Sequence, residues 1–394
     1  MTKFNSEAKF WESTKTSCPY SLDTFLGDEI LRRLKETPDR VAQIFHDENR
    51  EVTYKELRIA SVCIAQNLIK FGIKTDDVVG VICRNSNEIT FFLTACLLIG
   101  APINPLDHSF TKDDIKHLFA QTQPKIVICD IEVVEKTQKA LQELKLNSEI
   151  FVTAKKTTGG LRNIFEFMIS TGTEEDFVAP KFDKKVDEKL SAILCSSGST
   201  GLSKGVKVTH AFMLAFTGKR KSDLTTRSIT FSPIYWATGF HPIIFKAFDL
   251  NDTRIITDKP FSVETLKEMV EKYELTHLVV PPTHLNAILC SDFESTCNHN
   301  SLKSITVLGS IASEALRKKF SETFPEKNLT VAYGMTELLI SITLPGEYKE
   351  PYSVGSLFLA NLMMKVVDDD GNRLGIGETG EICVKSDFGF SVSF

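Results

Sequence analysis

Several familiar signatures are missing from these 394 residues. No apolar run reaches the roughly 20 residues that span a bilayer; the greasiest stretch, Ile89 to Ile103, contains Gly100 and Pro102 and reads as a buried helix followed by a strand. The opening MTKFNSEAKFWESTKTS lacks the apolar core of a secretory signal, and the closing SVSF is not the S-K-L peroxisomal address. No Cys-x-x-Cys pair occurs. The nine cysteines (Cys18, Cys63, Cys83, Cys96, Cys129, Cys195, Cys290, Cys297, Cys383) are odd in number, scattered and mostly embedded in apolar runs. That pattern argues against a metal ribbon or a disulfide framework and predicts reduced thiols in a cytosolic-type compartment. An excess of basic charge is lacking too. Lys and Arg number 46 against 51 Asp and Glu, a formal net charge of −5, so nothing asks for nucleic acid.

What is present is an alternation of short apolar runs with amphipathic segments. Thr53-Tyr54-Lys55-Glu56 is a capping box that opens a helix; Leu57, Ala60, Ile64, Leu68 and Phe71 give its apolar stripe, and Gly72 supplies its stop. Strands are expected at Val78 to Cys83, Ala101 to Pro105, Lys125 to Cys129 and Ile150 to Val152, with helices at Glu88 to Ile99, from Thr111, and at Val133 to Leu144. After a charged stretch from Lys155 to Lys189 the rhythm resumes, with strands at Ser191 to Ser196, Arg254 to Thr257, Leu278 to Val280, Ile305 to Leu308 and Leu329 to Ala332. Helices at Val263 to Tyr273, Thr283 to Leu289 and Glu314 to Phe324 fall between them. From Val354 onward short alternating segments flank Asp369-Asp370-Gly371-Asn372, the pattern of a small antiparallel unit. The fold class predicted is α/β, with two doubly wound, mostly parallel-sheet subdomains and a small β-rich subdomain. The divisions expected are an N-terminal extension over 1–24, a first α/β subdomain over 25–189, a second over 190–350 and the β-rich segment over 351–394.

Three small-residue loops carry chemistry. In the first, Ser196-Ser197-Gly198-Ser199-Thr200-Gly201 leads to Lys204 and Gly205: glycines admit backbone N–H groups to phosphate oxygens, hydroxyls add donors, and the lysine adds mobile positive charge. The P-loop of kinases and GTPases runs into a helix, whereas here Gly205-Val206-Lys207-Val208 alternates like a strand, so the loop joins two strands. A plain surface hairpin is the bland alternative. The second is Tyr333-Gly334-Met335-Thr336-Glu337, offering a flat ring, a hydroxyl donor and an oxygen ligand for Mg²⁺; its alternative is an ordinary strand-to-helix turn. The third is Gly309-Ser310, where a missing side chain would admit a planar base. All three begin at strand C-termini, where open α/β sheets bind ligands. His210, His241, His277 and His284 lack metal spacing, and Phe240, Ile243, Ile244 and Phe245 fit core packing as well as an acyl pocket.

The pairing of the 196–205 loop with Tyr333-Gly334-Met335-Thr336-Glu337 resembles the adenylate-forming superfamily of acyl-CoA synthetases, 4-coumarate-CoA ligases and beetle luciferases. Thr53 to Leu57, Gly100 to Pro105, Val280-Pro281-Pro282, Val354-Gly355 and Gly380 to Lys385 match as well. The resemblance implies a ligase that joins a small fatty or aryl acid to coenzyme A through an acyl-adenylate made from ATP, in the cytoplasm or peroxisome. Ser196, Ser197, Gly198, Ser199, Thr200, Gly201 and Lys204 would form the phosphate loop, and Gly309, Ser310 and Ile311 the segment against adenine. Tyr333 and Gly334 would border adenine and the acyl pocket, Thr336 would touch the α-phosphate, and Glu337 would hold Mg²⁺. The chain departs from the pattern at Ser203, where proline is usual, at Ile311-Ala312, and at Tyr235-Trp236, where relatives place a histidine against the acyl group. Tyr235, Trp236, Phe240 and His241 are the substrate-pocket candidates. Phe240-His241-Pro242 offers no aspartate for an amino-acid ammonium, which disfavours a peptide-synthetase domain. Relatives also continue into a C-terminal domain carrying a further lysine, with no counterpart in these residues. The alternative expectation is therefore a truncated pseudoenzyme that binds ATP or an acyl ligand with little turnover. Oligomeric state is not legible.

Overall fold

The computed structural model describes residues 2–15, 20–21, 23–157, 159–181, 185–196, 203–217, 225–246, 252–338, 341–344, 353–357 and 361–386. The chain forms two compact units, one of Tyr20–Phe261 and one joining Met1–Pro19 to Ser262–Phe390.

The first unit is built on helices capped as the sequence predicts. Thr53 accepts a hydrogen bond from the Glu56 amide while Glu56 reaches back to the Thr53 amide, and the Tyr54–Phe71 helix ends at Gly72 with φ +101°. Helix Asn87–Ile99 follows Ser86, whose hydroxyl accepts from the Ile89 amide, and nearly all of its 13 residues are buried. These helices flank a sheet ordered Lys204–Thr209, Leu190–Ser196, Ile103–Pro105, Val79–Ile82, Ile126–Cys129, Glu149–Val152, Arg162–Asn163. Its strands run parallel except at the Lys204–Thr209 edge. A strand buried on both faces reads as a continuous apolar run, which is why Val79–Ile82 and Ile126–Cys129 were legible. The layers meet closely: a Cβ added at Gly80 would lie 2.9 Å from the Phe119 ring.

Leu190–Ser196 pairs with Ile103–Pro105, so residues beyond 189 complete the sheet begun at Val79 rather than opening a separate one. Nor is the polar stretch 155–189 a simple linker. Ile164 and Phe167 are buried, Phe167 packing against Phe71, Phe92 and Phe151, while the Arg162 guanidinium covers the Phe71 and Phe151 rings. Lys189 closes the stretch, 1% exposed and paired with Asp76 at 2.7 Å. The same unit holds strands Thr226–Thr230, Asp252–Ile256 and Val41–Phe45 in parallel, with Arg50–Thr53 antiparallel at the edge.

In the second unit His277–Val280, Ser304–Val307 and Asn328–Val331 run parallel, alternating with helices Val263–Tyr273, Pro282–Leu289 and Glu314–Thr323. Leu362–Val367 and Glu381–Ser386 form the expected antiparallel pair around the 368–372 turn. The N-terminal residues are part of this sheet: Lys3–Asn5 pairs with Phe10–Glu12, and Phe10–Glu12 with Leu362–Val367. Three-residue strands are too short to show alternation, so 1–24 read as an extension. Among the described residues no helix is long and apolar enough to cross a membrane.

Two outcomes follow from this packing. Phe119→Ala should lower unfolding stability by about 3–5 kcal/mol, the usual loss for a buried aromatic, measured by urea denaturation; a loss under about 1 kcal/mol would contradict the fully buried ring. Burial, with Asp130 and Asp107 adding to it, pushes the Cys129 and Cys195 thiols up to about 12, and burial with Glu271 takes Cys297 to about 11. All three are then protonated at pH 8, so timed alkylation mapped by mass spectrometry should modify exposed Cys290 well before them.

Candidate functional site

Ser196 and Lys204 face each other as the last residue of one strand and the first of the next, the register pairing them directly. Buried Ile193, Leu194 and Cys195 hold one strand and buried Val206 and Val208 the other, which fixes Ser196 and Lys204 beside each other. Ser197, Gly198, Ser199, Thr200 and Gly201 lie outside the described residues. Lys204 is half-buried and makes no ion pair or hydrogen bond among the described residues, an ammonium left uncommitted. At its flank the Ser203 carbonyl lies 3.2 Å from His117 Nε2. The strands expected on either side of the loop are therefore observed as an antiparallel pair, and Ser203, at the position where proline was expected, meets His117 through its carbonyl.

The Ser232–Trp236 segment is held from the neighbouring strand end. Asn85 Oδ1 accepts from the Ile234 amide at 3.1 Å, and its Nδ2 donates to the Ser232 carbonyl at 3.4 Å. Beyond this clamp Tyr235 is half-buried, its hydroxyl hydrogen-bonded to Asp107; burial first, and then that carboxylate, raise its pKa. Trp236 is 44% exposed, its ring centroid 6.0 Å from that of Tyr235. Phe240 is wholly buried and serves the core, whereas His241 is half-buried; the side chains of Ile243, Ile244 and Phe245 lie outside the described residues. Gly239 is obligatory here: a Cβ would sit 1.9 Å from the Pro233 carbonyl oxygen. The pocket candidates thus divide, Tyr235 and Trp236 lying towards the surface and Phe240 inward.

In the second unit two loops leave adjacent strands in matched register. Val307 pairs with Val331, and Gly309 and Tyr333 each stand two residues further on. Gly309 has φ +95° with nothing within 4 Å of a built Cβ, Ser310 is exposed, and Ile311 is 86% exposed beside buried Ala312. Tyr333–Gly334 pairs with Ser341–Leu344, and the turn Thr336–Leu338 is anchored by buried Leu338. Thr336 and Glu337 are half-buried, and neither side chain has a hydrogen bond or ion pair among the described residues. This edge can therefore offer an apolar face, a ring, a hydroxyl and a carboxylate.

Other clusters are committed to structure. Ligand atoms of His108, Asp130 and Glu132 lie within 4.8 Å of one another, a grouping with no spacing motif to reveal it. The Arg84 guanidinium reaches both acids, at 3.7 and 3.1 Å, and stands where a cation would. His210 is fully buried, and burial with Lys189 pulls its imidazole down to about 3, so it is neutral at pH 7. Sequence reading missed Asn85 and Asp107, single polar residues after apolar strands. Their position at strand ends was the available signal.

A family profile described as AMP-binding enzyme matches residues 30–392. The chain is 25% identical over 376 residues to 4-coumarate-CoA ligase-like 2 of Arabidopsis thaliana, covering 91% of this chain and 65% of that protein. It is 25% identical over 381 residues to luciferin 4-monooxygenase of Photinus pyralis, covering 92% and 68%. It thus spans about two thirds of the length of these curated relatives. Among solved structures, the luciferase-like enzyme from the nonluminescent Zophobas morio mealworm superposes with a TM-score of 0.86 at 26% identity, over 98% of this chain and 91% of that one. The small-residue loops at the strand ends all fall within the matched span, and the chain belongs to the AMP-binding enzyme family, in the adenylate-forming superfamily.

Proposed function

We propose that this chain activates a small fatty or aryl carboxylic acid with ATP and transfers the acyl group to coenzyme A. The observation that carries this reading is the set of uncommitted polar side chains, Lys204, Thr336 and Glu337, at strand C-termini of a family that its relatives' names describe as ligases. In the first step a carboxylate oxygen of the acid attacks the α-phosphorus of ATP. An oxygen–phosphorus bond forms, the α–β bridging bond breaks, and pyrophosphate leaves. In the second step the coenzyme A sulfur attacks the acyl carbon, AMP leaves with the bonding pair, and the thiol proton passes to solvent.

Each residue has a role consistent with its chemistry. Lys204 would neutralise phosphate charge as a mobile point charge. Ser196 through Gly201 would supply hydroxyl and backbone donors to the same oxygens. Thr336 would donate to the α-phosphate. The half-buried Glu337 carboxylate, with no partner among the described residues, suits a hard cation, and Mg²⁺ bound there would offset charge on the phosphates. Gly309, Ser310 and Ile311 would leave a flat apolar face for adenine, with Tyr333 and Gly334 at its border. Tyr235 and Trp236 would meet the acyl group, presenting a phenol held by Asp107 and an exposed indole in place of an imidazole.

The test is acid-dependent exchange of labelled pyrophosphate into ATP across a panel of fatty and aryl acids. Exchange is expected with at least one acid, falling by about 10²–10³ in Lys204→Ala or Glu337→Ala, the typical loss for one preorganised charge stabiliser. ATP binding without exchange for any acid would refute the activation step; no ATP binding would remove the nucleotide site as well.

A further inference from the structure

The strands that bracket the proposed phosphate loop, Leu190–Ser196 and Lys204–Thr209, are both tied by side chains to the same helix, Lys112–Thr122. At the entering strand the tie is internal. Thr122 Oγ1 lies 2.9 Å from Asn104 Oδ1, and the Asn104 amide nitrogen donates to the Ile193 carbonyl at 2.8 Å. Asn104 and Thr122 are both buried. At the leaving strand the tie is His117, whose Nε2 lies 3.2 Å from the Ser203 carbonyl oxygen. A carbonyl only accepts, so in this contact Nε2 carries the hydrogen. Gln121, one turn along the helix, approaches the same nitrogen at 3.2 Å, and its amide oxygen has no partner. A half-turn of that amide offers the oxygen to the ring N–H as a second acceptor.

The helix is a fixed base for both ties. Its start is held by the Thr111 capping box, and Ile115, Leu118 and Phe119 are buried beneath it. Ser203 has no comparable support of its own. The ladder ends with the pair Ser196–Lys204, and among the described residues the contact with His117 is the one hydrogen bond Ser203 makes. Serine also leaves its backbone φ free, where a proline ring would fix it. The carbonyl of Ser203 and the amide of Lys204 belong to one planar peptide group. Holding that oxygen therefore sets the plane from which the half-buried, uncommitted Lys204 side chain projects.

We propose that His117 is a positioning residue for Lys204: its Nε2–H, by holding the Ser203 carbonyl, aims the lysine at the phosphates. The inference rests on Lys204 being a phosphate ligand, as proposed above, and adds a residue that needs no contact with ATP itself. Two variants separate the hydrogen bond from the bulk of the ring. His117→Phe keeps a ring and removes the donor, whereas His117→Gln places an amide N–H close to where Nε2 stands. Calorimetric titration with ATP should show binding about five- to ten-fold weaker in His117→Phe, the worth of one hydrogen bond, and within about two-fold of the unmodified chain in His117→Gln. A merely structural role would lower the thermal midpoint of the Phe variant without this rescue; the midpoints are expected to stay alike. Unchanged affinity in His117→Phe, or equal losses in both variants, overturns the inference and leaves the nucleotide site standing. No ATP binding by the unmodified chain overturns the reading beneath it, and the inference with it. Should His117→Phe fail to fold, NMR of the unmodified protein decides. The His117 Nε2–H, sheltered by its bond, should give a signal that shifts as ATP saturates the site; a ring hydrogen lost to rapid exchange, or one that ATP does not move, overturns the proposal.

Discussion

Parallel hydrogen bonding between strands is the constraint on which the rest of this molecule depends. Parallel neighbours cannot be joined by a tight turn, so the chain crosses over between them, mostly through a helix, and parallel strands end at the same edge. In the first unit Val79–Ile82, Ile103–Pro105 and Ile126–Cys129 end this way, and Asn85, Asp107 and Asp130 follow them. In the second unit the pairing of Val307 with Val331 carries Gly309 and Tyr333 to equivalent heights. The apolar strands thus do the positioning, and the residues just past them are free to vary in chemistry.

How much of this was legible follows from how each signal arises. Helices with side-chain caps were readable because the cap is local: Thr53 with Glu56 appears as a short motif and forms as such, and Thr111 opens its helix as expected, with Asp114 completing the cap. Apolar strands between two helical layers were readable because both their faces are buried. Helix Leu26–Leu34 carries no side-chain cap at Phe25 and offered no such start signal. The Ala237–Lys246 helix was hidden by Gly239 and Pro242, residues that punctuate most helices; here Gly239 permits a close approach to the Pro233 carbonyl. Strand Val41–Phe45 was masked by Gln43, a polar residue in a core position that is satisfied by Asn87 and Thr90, over 40 residues away in sequence. Tertiary partners of this kind leave no trace in a local pattern.

The loops themselves were legible as composition, since runs of glycine and hydroxyl residues beside a lysine have few purely structural uses. Their supports were not. Asn85 clamps the Ser232–Trp236 segment across 147 and 149 residues of sequence, and Asp107 meets Tyr235 from a different strand end. Both are single polar residues whose meaning comes from what the sheet brings beside them.

Charge placement separates structural from available groups. Where a charged side chain is buried for stability, an opposite charge or several acceptors are supplied: Lys189 has Asp76, Arg58 has Glu175, and Glu29 is gripped by Arg32, Arg33 and Tyr20, whose hydrogen bonds overcome burial and bring its carboxyl down to about 2. Lys204 and Glu337 break that rule while only half-buried, so water can satisfy them and the energetic cost of leaving them unpaired is small. A ligand that displaces that water gains an interaction no protein group competes for. Arg254, 6% exposed, keeps to the rule: the Asp252 carboxylate acts on it from two residues along the same strand, and Thr90 Oγ1 accepts its hydrogen bond. The exceptions at the strand ends therefore point to a large, exchangeable anionic ligand at the loops.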